Sequence, residues 1–103
     1  MSDILEVAEG MQYQSSDEER AYTITTTNWV SSPTSPSVAA YLDKNNKDVT
    51  STVFPVNSPT AANDIITLSV LKSLSKGDVY RIEVQFTVGS NIYECYFKVK
   101  CSL

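Results

Sequence analysis

From Tyr80 the chain alternates strictly between two kinds of side chain. Tyr80, Ile82, Val84, Phe86 and Val88 stand on one side, and Arg81, Glu83, Gln85 and Thr87 on the other. Successive side chains of a strand point to opposite faces, so this period belongs to a half-buried β-strand. The next run repeats it with Tyr93, Cys95, Phe97, Val99 and Cys101 against Glu94, Tyr96, Lys98 and Lys100. Gly89, Ser90 and Asn91 lie between the runs and supply turn residues. A two- or four-residue loop pairs residues whose numbers have an odd sum, which puts both apolar faces on one side. The expected register sets Val84 opposite Phe97, Ile82 opposite Val99 and Glu83 opposite Lys98.

Shorter runs of the same kind precede this hairpin. Arg20 to Trp29 reads as a Thr-rich strand and Ser31 to Pro36 as a loop. Val38 to Leu42 and Val49 to Phe54 read as two strands around the polar loop Lys44-Asn45-Asn46-Lys47. Pro55 to Asn63 reads as a loop and Asp64 to Leu71 as a strand. With the hairpin these make six strands, or seven if residues near Met11 to Gln14 pair at an edge. About seven short strands in a chain of this length imply an all-β sandwich of one domain. Residues 1–16 are acidic and weakly patterned, and a short helix, an edge strand and a mobile tail all remain open for them. The expected division is an N-terminal segment over 1–16 and a sandwich over 17–103. Deleting the segment should then leave the melting transition nearly intact.

Charge and residue types narrow the chemistry. The chain carries -4 overall, yet its first 20 residues hold six acids and one base. The remaining residues hold six acids and seven bases, and neither part forms the basic patch of a nucleic-acid binder. No long apolar run is present, and the acidic N-terminus lacks a secretory pattern, so synthesis in the cytoplasm without membrane insertion is expected. There is no histidine, which removes the commonest general base and zinc ligand. The expectation is a non-enzyme without cofactor or metal. Cys95 and Cys101 fall six residues apart on one strand, about 20 Å, too far for a disulfide, so two reduced thiols are expected.

Three groups stand out as candidate sites. Asp17, Glu18 and Glu19 form an acidic approach to the first long strand and are candidate partner-binding residues. Trp29, the single tryptophan, is either a core plug or an exposed anchor for a partner. Asp43 to Asp48 faintly resembles a cation loop, but it lacks the Gly and Glu of an EF-hand and carries two lysines, so it reads as a solvated tip.

The spacing Leu71-x-x-Leu74-x-x-Gly77-x-x-Tyr80-x-Ile82-x-Val84 is the most specific feature. It resembles the corner that leads into the penultimate strand of fibronectin type III and other immunoglobulin-like domains. The resemblance implies that Leu74 plugs the core, Gly77 permits the turn, and Tyr80 buries its ring while its hydroxyl meets nearby backbone, a tyrosine corner. Further pieces are Glu19-Arg20-x-Tyr22-x-Ile24, Trp29, Asp48-Val49-Thr50, and the stretch from Leu74 through Gly77, Tyr80 and Arg81 to Glu94. Together they make Asp17 to Cys101 similar to small immunoglobulin-like proteins of tailed-bacteriophage and prophage structural gene clusters, of fiber–tail adaptor or head–tail type. Members often carry a Gly after the first strand, where this chain has Ser31-Ser32-Pro33. The resemblance implies a virion structural module whose partners are phage structural proteins or further copies of itself. The alternative is a soluble immunoglobulin-like domain that binds carbohydrate or protein around Trp29 or Tyr96.

Overall fold

A computed structural model describes residues 4–6, 11–26 and 31–102. The strands are β1 (Ile4–Glu6), β2 (Gln12–Gln14), β3 (Arg20–Thr25), β4 (Thr34–Leu42), β5 (Thr60–Ala62), β6 (Ile65–Leu71), β7 (Val79–Val88) and β8 (Asn91–Cys101). One helical turn, α1 (Thr50–Val53), separates β4 from β5. The strands form two sheets. In one, β4, β7 and β8 pair in that order, and β1 and β2 both run parallel to β8 along its other side. In the other, β6 lies between β3 and β5. The apolar faces of the sheets form a single buried core, a sandwich.

The β7–β8 hairpin has the expected parity but a register shifted by two. Val84 pairs with Cys95, Ile82 with Phe97 and Arg81 with Lys98. The reason lies in the turn. Pairing Val88 with Asn91 leaves Gly89-Ser90 as the two-residue loop, and Gly89 takes φ +59° at its first position. A type II′ hairpin turn needs positive φ there, which glycine adopts without steric cost. The shift by two keeps Tyr80, Ile82, Val84 and Phe86 on the buried face with Cys95, Phe97, Val99 and Cys101.

Two bulges turn side chains where simple alternation would misplace them. Between Ala21 and Thr23 the β3–β6 register slips, so Val70 points out and Leu71 is fully buried. In β4 the register slips between Thr34 and Ser37, with Ser35 at φ +50°. Pro36 falls in this bulge on an edge strand, where its missing N–H costs no ladder bond. The strand therefore begins at Thr34, inside the stretch expected as loop.

Two further expectations are corrected. Val49 to Phe54 does not return as a strand; it forms α1, and a lone bridge joins Tyr41 to Asp48. The Asp48 carboxylate accepts the Thr50 N–H at 2.9 Å and its hydroxyl at 2.7 Å, a local bond that competes with the ladder. Val53 and Phe54 then turn into the core. The stretch from Pro55 to Asn63 is not all loop, because Thr60–Ala62 pairs with β6 across an Asn63-Asp64 turn. Asn63 sits at φ +55°, a conformation that asparagine tolerates.

Of the readings left open for residues 1–16, the described residues take the edge strand. Gln14 is 1% exposed, so this part of the segment lies within the core's boundary. The Trp29 expectation lies outside the described residues.

Candidate interaction surfaces

Three places are candidates for a functional role: the corner before β7, the junction from β2 to β3, and the outer face of the larger sheet.

At the corner, Leu71 and Leu74 are buried and Tyr80 is 3% exposed. The Ser75 N–H donates to the Tyr80 hydroxyl at 2.8 Å. The ring thus fills the core while its oxygen satisfies backbone five residues upstream, the contact of a tyrosine corner. Gly77 takes φ +90°, beyond the reach of ordinary side chains, and its N–H donates to the Cys101 carbonyl at 2.8 Å. The corner therefore also binds the end of β8.

The β2–β3 junction is built around Gln14. Its amide donates to the carbonyls of Leu71 at 2.8 Å and Glu18 at 2.9 Å. Its side-chain oxygen accepts from the Tyr22 hydroxyl at 2.9 Å. Backbone pairing puts Gln14 in the larger sheet, while its side chain holds β6 and β3 of the smaller one. Burial raises the Tyr22 phenol pKa above its ordinary value; Arg20 pulls it down and Glu18 pushes it up. Tyr22 also packs against Phe97, with ring centroids 5.3 Å apart.

The acidic approach is anchored to this junction. Glu18 accepts the Ser15 N–H at 2.8 Å, and Glu19 pairs with Lys72 at 3.4 Å. Asp17 is exposed beside them. The structure thus brings Asp17, Glu18 and Glu19 together at one turn. Trp29 cannot be placed among them, since it is outside the described residues.

The outer face of the larger sheet carries a charged network. Asp43 holds Lys98 at 3.3 Å and Arg81 at 3.5 Å, and Arg81 donates to Glu83 at 2.8 Å. The Arg81 guanidinium lies 5.3 Å from the Tyr41 ring centroid. Beside the network is an open depression of about 230 Å³, lined by Ser37, Val38, Ala39, Tyr41, Glu83, Gln85 and Glu94. Half-buried Tyr96 is on β8, paired with Glu83. The tip from Asp43 to Asp48 spends its carboxylates on Lys98, Arg81 and Thr50, and no group of three metal-ligating side chains occurs among the described residues. Asp48 is held below the usual carboxylate range, chiefly by the Thr50 N–H.

Cys95 and Cys101 are buried on one face of β8. Burial pushes the Cys95 thiol up to about 12, so it stays protonated and a poor nucleophile near neutral pH. No helix of the described residues is long and apolar enough to cross a membrane.

The sequence carried no sign of the Gln14 junction or the Asp43 network. Gln14 meets a carbonyl 57 residues away, and Asp43 meets Lys98 55 residues away. No local pattern encodes such contacts. No family model matches the chain, and no curated protein matches it in sequence.

Proposed function

We propose that the chain is an immunoglobulin-like assembly module of a phage or prophage particle, non-enzymatic, acting by protein–protein contact in the head–tail or tail region. The observation that carries the fold part of this reading is the Tyr80 corner at the start of β7. In immunoglobulin-like sandwiches that corner stands before the penultimate strand. The strand order agrees. β3, β6 and β5 correspond to one sheet of such a domain, and β4, β7 and β8 to the other, with β1 and β2 parallel to the last strand. The functional part rests on the resemblance of residues 17–101 to small phage structural proteins. An acidic turn of Asp17, Glu18 and Glu19 and a charged sheet face suit a module that works by presenting surface.

The test is mass spectrometry of purified particles from the source phage or an induced prophage. Several copies of the chain per particle are expected. Its absence from otherwise complete particles overturns the reading. If the acidic turn meets a basic partner, added salt weakens the contact.

A second reading draws on the depression beside Tyr41. Its lining of hydroxyl, amide and carboxylate groups suits a sugar or a polar peptide, as a binding domain requires. Glycan titration followed by chemical-shift changes at Gln85 and Glu94 tests it, and unchanged shifts across a diverse glycan panel remove it.

A further inference from the structure

The two longest strands at sheet edges, β4 and β3, are treated differently. A bare edge offers unpaired N–H and C=O groups to any strand that approaches, and proteins commonly cover such edges. In β4 the outward groups are those of Val38, Ala40 and Leu42, and their neighbours engage them. The Val38 carbonyl accepts from the Asn57 amide at 2.9 Å. The Ala40 N–H donates to the Thr50 hydroxyl at 2.9 Å, and the Ala40 carbonyl accepts from the Val49 N–H at 2.9 Å. The Leu42 N–H donates to Lys47, and its carbonyl accepts from Asn46. β1, β2 and β5 are only three residues each.

β3 is six residues long and, among the described residues, pairs only with β6. The Thr26 N–H donates to the Asp64 carbonyl at 2.7 Å, so the even-numbered residues turn their backbone groups toward β6. The alternation of an antiparallel ladder then points the groups of Ala21, Thr23 and Thr25 away from the sheet. These positions are symmetric about Thr23, and no charged side chain occurs from Ala21 to Thr26.

We infer that β3 is a self-association edge, pairing antiparallel with β3 of a second copy across a two-fold axis at Thr23. The proposal rests on the assembly reading above and supplies its self-contact. In this register Thr23 faces its own copy, Ala21 faces Thr25, and Tyr22 faces Ile24. The exposed residues at the contact are Ala21, Thr23 and Thr25, since Ile24 is buried and Tyr22 packs on the core. Thr–Thr is a favourable cross-strand combination, and no like charges oppose. This self-complementarity favours a second copy over an unrelated strand, because an isologous contact must suit its own reverse. The contact is small, so the dimer is weak and forms at high protein concentration.

The Thr23 side chain is exposed, so Thr23→Lys and Thr23→Glu should leave the melting transition of the monomer unchanged. Each places like charges opposite one another across the axis. Sedimentation of the full chain should show a concentration-dependent dimer for the parent and association weaker by roughly fivefold or more for each variant alone. An equimolar mixture of the two variants should regain the dimer, since opposite charges then face each other. A parent that stays monomeric at every concentration overturns the proposal. So does self-association that neither substitution changes. A monomeric chain that is still incorporated into particles removes this contact and leaves the assembly reading standing. A Thr23-dependent dimer absent from particles upholds the contact and removes that reading.

Discussion

Along β7 every second side chain from Tyr80 to Phe86 is buried, and all but the Tyr80 hydroxyl of that surface is apolar. The side chain by which β2 enters the interior is instead an amide, Gln14. The hairpin's grip is non-directional and grows with area removed from water. The junction's grip is a set of directed hydrogen bonds to Leu71, Glu18 and Tyr22. An apolar face is satisfied by any register that keeps its parity, because its buried residues recur at every second position. A buried amide is not, because each unmet partner keeps its desolvation cost. The difference explains how three-residue β2 holds a defined place on β8 with so little surface of its own.

Substitutions can break this contrast or sharpen it. The largest effect is expected in the hairpin, where Ile82 is fully buried between β4 and β8. Ile82→Ala should cost about 2–5 kcal/mol through lost transfer energy and a residual cavity, read by urea unfolding. A cost near zero would mean that the apolar ladder is not the main support.

Gln14→Ala comes next, at about 1–3 kcal/mol, because it strands the Leu71 carbonyl and the Tyr22 hydroxyl. Deletion of residues 1–14 should likewise lower the melting temperature, contrary to what the weak pattern of that segment suggests. Full retention of stability in both proteins would show that β2 merely rests on the sandwich.

Tyr80→Phe keeps the buried ring and removes the acceptor of the Ser75 N–H. Ser75 is exposed, so water can partly replace the bond and the expected cost is about 1 kcal/mol. A much larger loss would make the hydroxyl, rather than Leu71 and Leu74, the main element of the corner. The smallest effect belongs to Glu19→Gln. It breaks an exposed pair with Lys72, and thermal unfolding should shift by no more than about 0.5 kcal/mol.

Local pattern made much of the larger sheet legible. Period-two alternation identifies β7 and β8, and parity demands an even loop between them. The one-residue move of the turn onto Gly89 was a matter of backbone conformation that hydrophobic pattern does not register. Val49 to Phe54 misled for a related reason. Its β-branched residues suit a strand, but the Asp48 carboxylate engages Thr50 in a local turn, and one helical turn follows instead. The spacing from Leu71 to Tyr80 marked the corner, because all its parts lie within ten residues. Asp17, Glu18 and Glu19 were visible as a charge run, while their attachment to Ser15 and Lys72 was not.

By itself the sequence determined the all-β class, the inward face of the hairpin, and the absence of histidine chemistry. These follow from residue type and from a period that any strand must obey. Only the tertiary structure decided that β1 and β2 lie parallel on β8, that Gln14 joins the two sheets, and that Asp43 gathers Arg81 and Lys98. It likewise decided which edge stays open, because the loop after β4 covers that strand while β3 pairs on one side only among the described residues. Each of these depends on groups dozens of residues apart being brought within hydrogen-bond distance. Such proximity comes from packing two sheets together, and no local stretch of the chain encodes it.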